Sequence, residues 1–126
     1  MANILIADDD KFFRRLIATY LVGIGHKTIE AASGREAIAI ISNQPVDLML
    51  IDYMMPQGDG LSIIRHVRQS VLTRNIPMIM ITARLSGDDK VCAFDIGVDD
   101  YIVKPIHFGE LTSRINRLLL LWEKVA

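Results

Sequence analysis

The chain has 126 residues, enough to bury one core, and reads as a single domain over 1–126. Apolar residues make up 51%, yet no stretch approaches the roughly 18 uninterrupted apolar residues of a membrane span, so no membrane partner is expected. Lys and Arg number 14 against 15 Asp and Glu, and a net charge of -1 argues against a nucleic-acid surface spread over the domain.

The opening Met1-Ala2-Asn3-Ile4 enters a strand without the basic and apolar regions of a secretory signal, so a cytoplasmic address is expected. Asn3–Ala7 is an apolar strand run that stops at Asp8-Asp9-Asp10. Phe13, Leu16, Ile17, Tyr20, Leu21 and Ile24 then recur at helical spacing as a core stripe, with Asp10 as the cap and Gly23 or Gly25 as the end. Lys27–Ala31 reads as a second strand. Ser33-Gly34-Arg35-Glu36 fits a capping box opening a helix through Ile41, and Pro45 closes the segment.

Leu48-Met49-Leu50-Ile51 is an apolar run with no polar side chain until Asp52, the pattern of a strand buried on both faces of a parallel sheet. Pro56, Gly58 and Gly60 break regular structure just beyond that carboxylate and let the backbone turn beside it. Leu61, Ile63, Ile64 and Val67 predict an amphipathic helix to about Arg68, whose opposite face carries Arg65 and Arg68. Pro77 introduces a fourth strand, Met78–Thr82, ending in a hydroxyl and the small Ala83. A weaker helical pattern over 88–96 stops at Gly97, and Cys92 within it reads as a small buried hydrophobe rather than a reactive thiol. Tyr101-Ile102-Val103 is a fifth strand, ending in Lys104-Pro105. A last helix carries Glu110, Leu111, Ile115, Leu118 and Trp122.

Strands alternating with helices five times predict an α/β fold, a doubly wound five-stranded parallel sheet with helices on both faces and right-handed crossovers. The carboxyl ends of parallel strands share one edge, where open α/β sheets bind ligands. Asp8, Asp9, Asp52, Thr82 and Lys104 would meet there. Two like charges about 4 Å apart repel by roughly 4 kcal/mol at an effective dielectric near 20, so three carboxylates call for a cation. Oxygen ligands with no His or Cys nearby favour Mg²⁺ or Mn²⁺. Such an ion would neutralise an incoming phosphoryl group whose other oxygens Lys104 and Thr82 take, a site built for phosphoryl transfer to Asp52.

Four segments in order carry a resemblance: Ile4-Leu5-Ile6-Ala7-Asp8-Asp9-Asp10, Asp52-Tyr53-Met54-Met55-Pro56-Gln57-Gly58-Asp59-Gly60, Thr82-Ala83, and Gly97-Val98-Asp99-Asp100-Tyr101-Ile102-Val103-Lys104-Pro105. The chain resembles the receiver domain of bacterial two-component response regulators, including the chemotaxis regulators, over nearly its whole length. The resemblance implies the flavodoxin-like strand order 2-1-3-4-5. It implies that Asp52 accepts a phosphoryl group from a histidine kinase or histidine phosphotransfer protein, as an acyl phosphate. Mg²⁺ would be held by Asp9 and Asp52, by the Met54 main-chain carbonyl, and by Asp8 largely through water. Thr82 and Lys104 would hold the phosphoryl oxygens, and Ala83 would keep the site open to the donor. Met54 and Arg84 would tune the access of attacking water. Tyr101 would change rotamer as Thr82 is drawn to the phosphate, and the Lys104-Pro105 bond would be cis. In the family the face formed by the fourth helix, fifth strand and fifth helix carries a homodimer on phosphorylation, and the surplus apolar surface of Leu119, Leu120 and Leu121 reads as a partner surface, either for a second copy of the domain or for a helix continuing into an output module.

Blander readings compete. The acidic run alone is a solvated turn with a helix cap, Thr82 alone is strand filler, and Tyr101 alone is a half-buried aromatic. Met54 and Met55 are most simply apolar cover. His26, His66 and His107 show no metal-ligand spacing and read as structural or surface residues. A haloacid dehalogenase-like phosphatase would share the fold class, but needs an acid two residues after its nucleophile, where Met54 stands. A dinucleotide-binding domain would need a glycine-rich turn in place of Asp8-Asp9-Asp10. The expectation is a switch that catalyses its own phosphorylation and dephosphorylation, not a turnover enzyme.

Overall fold

A computed structural model of the chain describes residues 2–55, 60–83 and 93–125, with side chains through 121. Five strands, β1 (Asn3–Ala7), β2 (Lys27–Ala31), β3 (Leu48–Asp52), β4 (Met78–Thr82) and β5 (Asp100–Val103), form one sheet in the order β2-β1-β3-β4-β5. Every pairing is parallel, as the alternation of strands and helices predicts. The helices are α1 (Lys11–Gly23), α2 (Gly34–Asn43), α3 (Gly60–Gln69) and a closing helix, Phe108–Val125. Residues 93–96 are also helical; the rest of the weak pattern at 88–96, Cys92 included, lies outside the described residues.

The period of two along each strand divides the core between the two faces. Leu5, Met49, Ile51, Met78 and Met80 pack with Ala37 and Ile41 of α2 and with Ile63, Ile64 and Val67 of α3. Ile4, Ile6, Leu48, Leu50, Ile79, Ile81 and Ile102 pack on the other side, with Ile17, Ala18 and Leu21 of α1 and Leu111, Ile115 and Leu118 of the closing helix. All five residues of β3 and of β4 are buried, as expected of central strands covered on both faces.

The caps follow the sequence. The Asp10 side chain accepts from the Phe12 and Phe13 N–H groups, and Ser33 Oγ accepts from the Glu36 N–H. Two expectations are corrected. On α1, Leu16 and Ile24 are exposed and Ala18 takes a place in the core, because the buried stripe is centred on Ile17, Ala18 and Leu21. On α3, Arg65 is exposed as expected, but Arg68 is no solvated charge. Its guanidinium donates to the carbonyls of Gly97, Arg74 and Ile76 and pairs with Asp99 Oδ2 at 2.7 Å. Gly97 admits this contact, since it has a φ of +131° and a Cβ there would lie 2.8 Å from Arg68 Cγ.

Candidate functional site

Register decides which side chains meet. Ala7 pairs with Ile51 across β1 and β3, so Asp8 and Asp52 are the next residues along neighbouring strands. Asp52 pairs with Ile81, which places Thr82 one residue further along the adjacent strand, and Thr82 pairs with Val103, just before Lys104. Asp8, Asp52, Thr82 and Lys104 are thus brought to one edge by strand ends alone. Asp9 follows Asp8 into the turn before α1.

One carboxylate oxygen from each of Asp8, Asp9 and Asp52 lies within 4.8 Å of the others. Asp8 and Asp52 are buried and Asp9 is exposed, so the cluster has two walled acids and one facing water. Lys104 Nζ stands 3.1 Å from Asp8 Oδ2 and 3.9 Å from Asp52 Oδ1, above the Phe13 ring at 4.2 Å from its centroid. The Lys104 N–H donates to the Thr82 carbonyl at 2.7 Å, and the Lys104–Pro105 peptide is cis.

The Asp52 carboxyl is pushed up from 3.8 to about 6, by burial first and by the Asp8 carboxylate next, with Asp9 adding a little. The Lys104 ammonium and a hydrogen bond from the Met54 backbone pull the other way without overcoming burial. A buried carboxylate crowded by like charge is what a divalent cation relieves, and the donors here are all oxygen, the chemistry of Mg²⁺ or Mn²⁺. The residues present therefore fit such an ion.

Gly60 starts α3 against this strand end. Its N–H donates to the Tyr53 carbonyl at 2.9 Å, and a Cβ on it would lie 2.8 Å from the Asp52 carbonyl oxygen. Of the glycines read as turning the chain beside Asp52, Gly60 is thus a close approach, and 56–59 lie outside the described residues. Met54 is exposed beside the cluster, Met55 is buried in the core, Thr82 is buried and Ala83 is open to solvent. Arg84, the other position expected to govern access, lies outside the described residues. Tyr101 is half-buried, with its ring edge-on to Phe94 at 5.9 Å, and it packs on the same sheet face as Met80. Asp10 caps α1 and is not part of the acidic cluster. His26 accepts from the Ala2 N–H through Nδ1, and His107 Nδ1 accepts from the Glu110 N–H, so both act as structural acceptors.

Sequence reasoning missed two participants. Phe13 packs against the core as expected, but its ring also lies under the lysine ammonium, and Arg14 donates to the Asp8 carbonyl at 2.8 Å; neither contact is visible in the helical pattern. Both stand one turn into α1 from the acidic run, the one signal that placed them near it.

An open parallel sheet with walled carboxylates and a lysine at the carboxyl ends of its strands defines a class, the doubly wound domains that bind their ligands at that edge. Within that class the chain belongs to the response regulator receiver domain family, whose model matches residues 4–116. It is 38% identical over 117 residues to the phosphate regulon transcriptional regulatory protein PhoB of Pseudomonas aeruginosa, a match covering 93% of this chain and 51% of that one. It is 37% identical over 124 residues to the response regulator SaeR of Staphylococcus aureus, covering 98% and 53%. The chain spans about half the length of these curated relatives. Among solved structures, the receiver domain of Francisella response regulator 1452 superposes with a TM-score of 0.88 at 33% identity, covering all of both chains. A CheY-like receiver domain protein from Methanospirillum hungatei gives 0.94 at 28% identity, covering 100% of this chain and 99% of that one. The protein is a receiver domain of two-component response regulators, a signalling domain, and no likeness supports the phosphatase alternative. No described helix is long and apolar enough to cross a membrane.

Proposed function

We propose that Asp52 is the phosphoacceptor of this receiver domain, taking a phosphoryl group from a histidine kinase or histidine phosphotransfer protein. The observation that carries the assignment is the meeting of Asp8, Asp9, Asp52 and Lys104 at the carboxyl edge of the sheet. Asp8, Asp9 and Asp52, with the Met54 main-chain carbonyl, would hold Mg²⁺ or Mn²⁺. When bound, the ion supplies positive charge against the cluster and the incoming phosphoryl oxygens.

A carboxylate oxygen of Asp52 attacks phosphorus, the bond from phosphorus to the donor's imidazole nitrogen breaks, and the imidazole leaves with the electron pair. The new bond is an acyl phosphate. Lys104 is placed to shift from Asp8 toward a phosphoryl oxygen, and the Thr82 hydroxyl takes another. The open Ala83 and the exposed Met54 leave room for the donor and for the water that later attacks. The domain thereby catalyses its own phosphorylation and dephosphorylation without turning over a substrate.

Thr82 links chemistry to surface. Met80 pairs with Tyr101, so Thr82, two residues beyond Met80, lies on the same pleat face as Tyr101. Movement of Thr82 toward a phosphoryl group vacates space beside Tyr101, and its ring turns inward. The surface that feels this includes exposed Val103, Leu120 and Leu121 and the ion pairs of Arg114 with Asp100 and Glu110. We assign it to a phosphorylation-dependent homodimer, and the domain, residues 1–126, to the cytoplasm.

Acetyl phosphate labelling with Mg²⁺ tests the assignment. The parent protein takes up about one phosphoryl group per chain, while Asp52→Asn and EDTA-treated protein take up none. Full labelling of Asp52→Asn would overturn it.

A further inference from the structure

The turn that carries Asp8 and Asp9 is gripped from outside the acidic cluster. Arg14, one turn into α1, donates from Nη1 to the Asp8 carbonyl oxygen at 2.8 Å and from Nε to Glu30 Oε1 at 3.0 Å. Its side chain is only 12% exposed, so the two bonds form in a desolvated corner where they hold geometry firmly. Glu30 precedes Ala31 on β2, and the Ala31 carbonyl accepts the Asp8 N–H at 3.0 Å. The Asp10 N–H donates to Asp8 Oδ1 at 2.9 Å. Both main-chain groups of Asp8 are therefore tied down, one by a strand and the other by a guanidinium that the same strand braces.

The Asp8 carbonyl belongs to the planar unit that contains the Cα atoms of both Asp8 and Asp9. Holding that oxygen restrains the peptide unit from whose two ends both carboxylates leave the backbone. The guanidinium uses a main-chain oxygen for this, and it takes none of the acidic oxygens out of the cluster. Its positive charge, offset in part by Glu30, works the other way and repels an ion at the cluster.

We propose that Arg14, braced by Glu30, is a positioning residue for the divalent-cation site, setting the Asp8-Asp9 turn in the geometry that binds the ion. The proposal rests on the reading of the acidic cluster as that site. Geometry and charge make opposite predictions, which renders the idea decidable. Losing a positioning bond weakens the ion's binding, whereas losing a nearby positive charge strengthens it. Arg15 supplies a matched control. It also meets Glu30, at 3.3 Å, but it is 70% exposed.

The experiment is calorimetric titration of the unphosphorylated protein with Mg²⁺ at constant ionic strength, for the parent, Arg14→Met, Arg14→Lys and Arg15→Met. Cooperative melting in EDTA identifies the folded variants. Supporting partners of metal ligands are typically worth 10- to 100-fold in affinity, so both Arg14 variants are expected to bind Mg²⁺ about tenfold more weakly. Arg14→Lys keeps the charge but lacks the planar fork that serves two acceptors at once, and it decides the matter alone if Arg14→Met does not fold. Arg15→Met should bind as the parent does or slightly tighter. Arg14 variants that bind as tightly as the parent would overturn the positioning role and leave the site assignment standing. A parent protein that binds no Mg²⁺ would overturn the site assignment itself.

Discussion

Lys104 holds Asp8 more closely than Asp52: its ammonium donates to Asp8 Oδ2 at 3.1 Å and lies 3.9 Å from Asp52 Oδ1. The lysine thus neutralises a buried acid that flanks the proposed phosphoacceptor and leaves the phosphoacceptor more lightly held. Replacing it should cost stability as well as chemistry. Lys104→Met strands the Asp8 carboxylate in its buried position, and urea unfolding in EDTA should show a loss of about 2 kcal/mol, the range for a charge-assisted hydrogen bond. Labelling by acetyl phosphate should fall too. A variant as stable as the parent would show that the contact contributes nothing in solution.

The raised Asp52 carboxyl makes the ion-free protein sensitive to pH. A carboxyl whose folded value lies above its unfolded value binds more protons folded than unfolded between the two, so its contribution to stability falls as pH rises through that window. For Asp52 the window runs from 3.8 to about 6. In EDTA, Asp52→Asn should therefore gain melting temperature over the parent as pH goes from 4 to 7. Millimolar Mg²⁺ at pH 7 should raise the parent's melting temperature and shrink that gap. A gap that stays constant from pH 4 to pH 7 would contradict the burial of this charge.

Met54 is 68% exposed beside the acidic cluster, and a thioether cannot orient a water molecule. Met54→Asn offers a polar side chain at the same place and should hasten the decay of the phosphorylated protein severalfold, followed by loss of ³²P label. Equal decay rates would remove Met54 from any part in dephosphorylation.

Leu120 and Leu121 stand exposed on the closing helix while Leu111, Ile115 and Leu118 are buried beneath it. Beryllofluoride with Mg²⁺, standing in for the phosphoryl group, should shift the protein toward dimer in sedimentation. Leu120→Glu or Leu121→Glu should weaken the shift without lowering phosphorylation. A protein that stays monomeric with beryllofluoride at high concentration would refute the dimer.

Arg68 is the structural counterpart, far from the chemistry in sequence and shared among three carbonyls and Asp99. Asp99 Oδ2 also accepts the Met78 N–H at 2.8 Å, so the pair joins α3, the start of β4 and the approach to β5. Arg68→Ala leaves a carboxylate without its cation, and chemical unfolding should show a loss of about 3 kcal/mol. A loss below about 1 kcal/mol would mean that water replaces the guanidinium without penalty.

The sheet was legible in the sequence because its signals are local. Apolar runs such as Met78–Thr82 have a strand's length, Asp10 and Ser33 stand where helices need caps, and the polar residue at the end of four of the five runs marks the strand's carboxyl end. Once parallel pairing is granted, Asp8, Asp9, Asp52 and Lys104 lie along one edge, because parallel strands bring like ends together; that they meet there depends on the strand order, which the sequence suggests only through the family resemblance. What the sequence left open is the direction of side chains that bridge elements. Leu16 and Ile24 share a helical period with the core yet face water, since the sheet contacts a stripe about a third of the helix wide and only docking decides where that stripe falls. The long-range contacts of Phe13, Arg14 and Arg68 are hidden for the same reason. Their partners, Lys104, Asp8 with Glu30, and Gly97 with Asp99, lie on other elements, and no period within one helix reports a contact 16, 29 or 91 residues away. The closer approach of Lys104 to Asp8 than to Asp52 is of this kind too, because residue types put a lysine among acids, while which acid it reaches is decided between side chains from different strands.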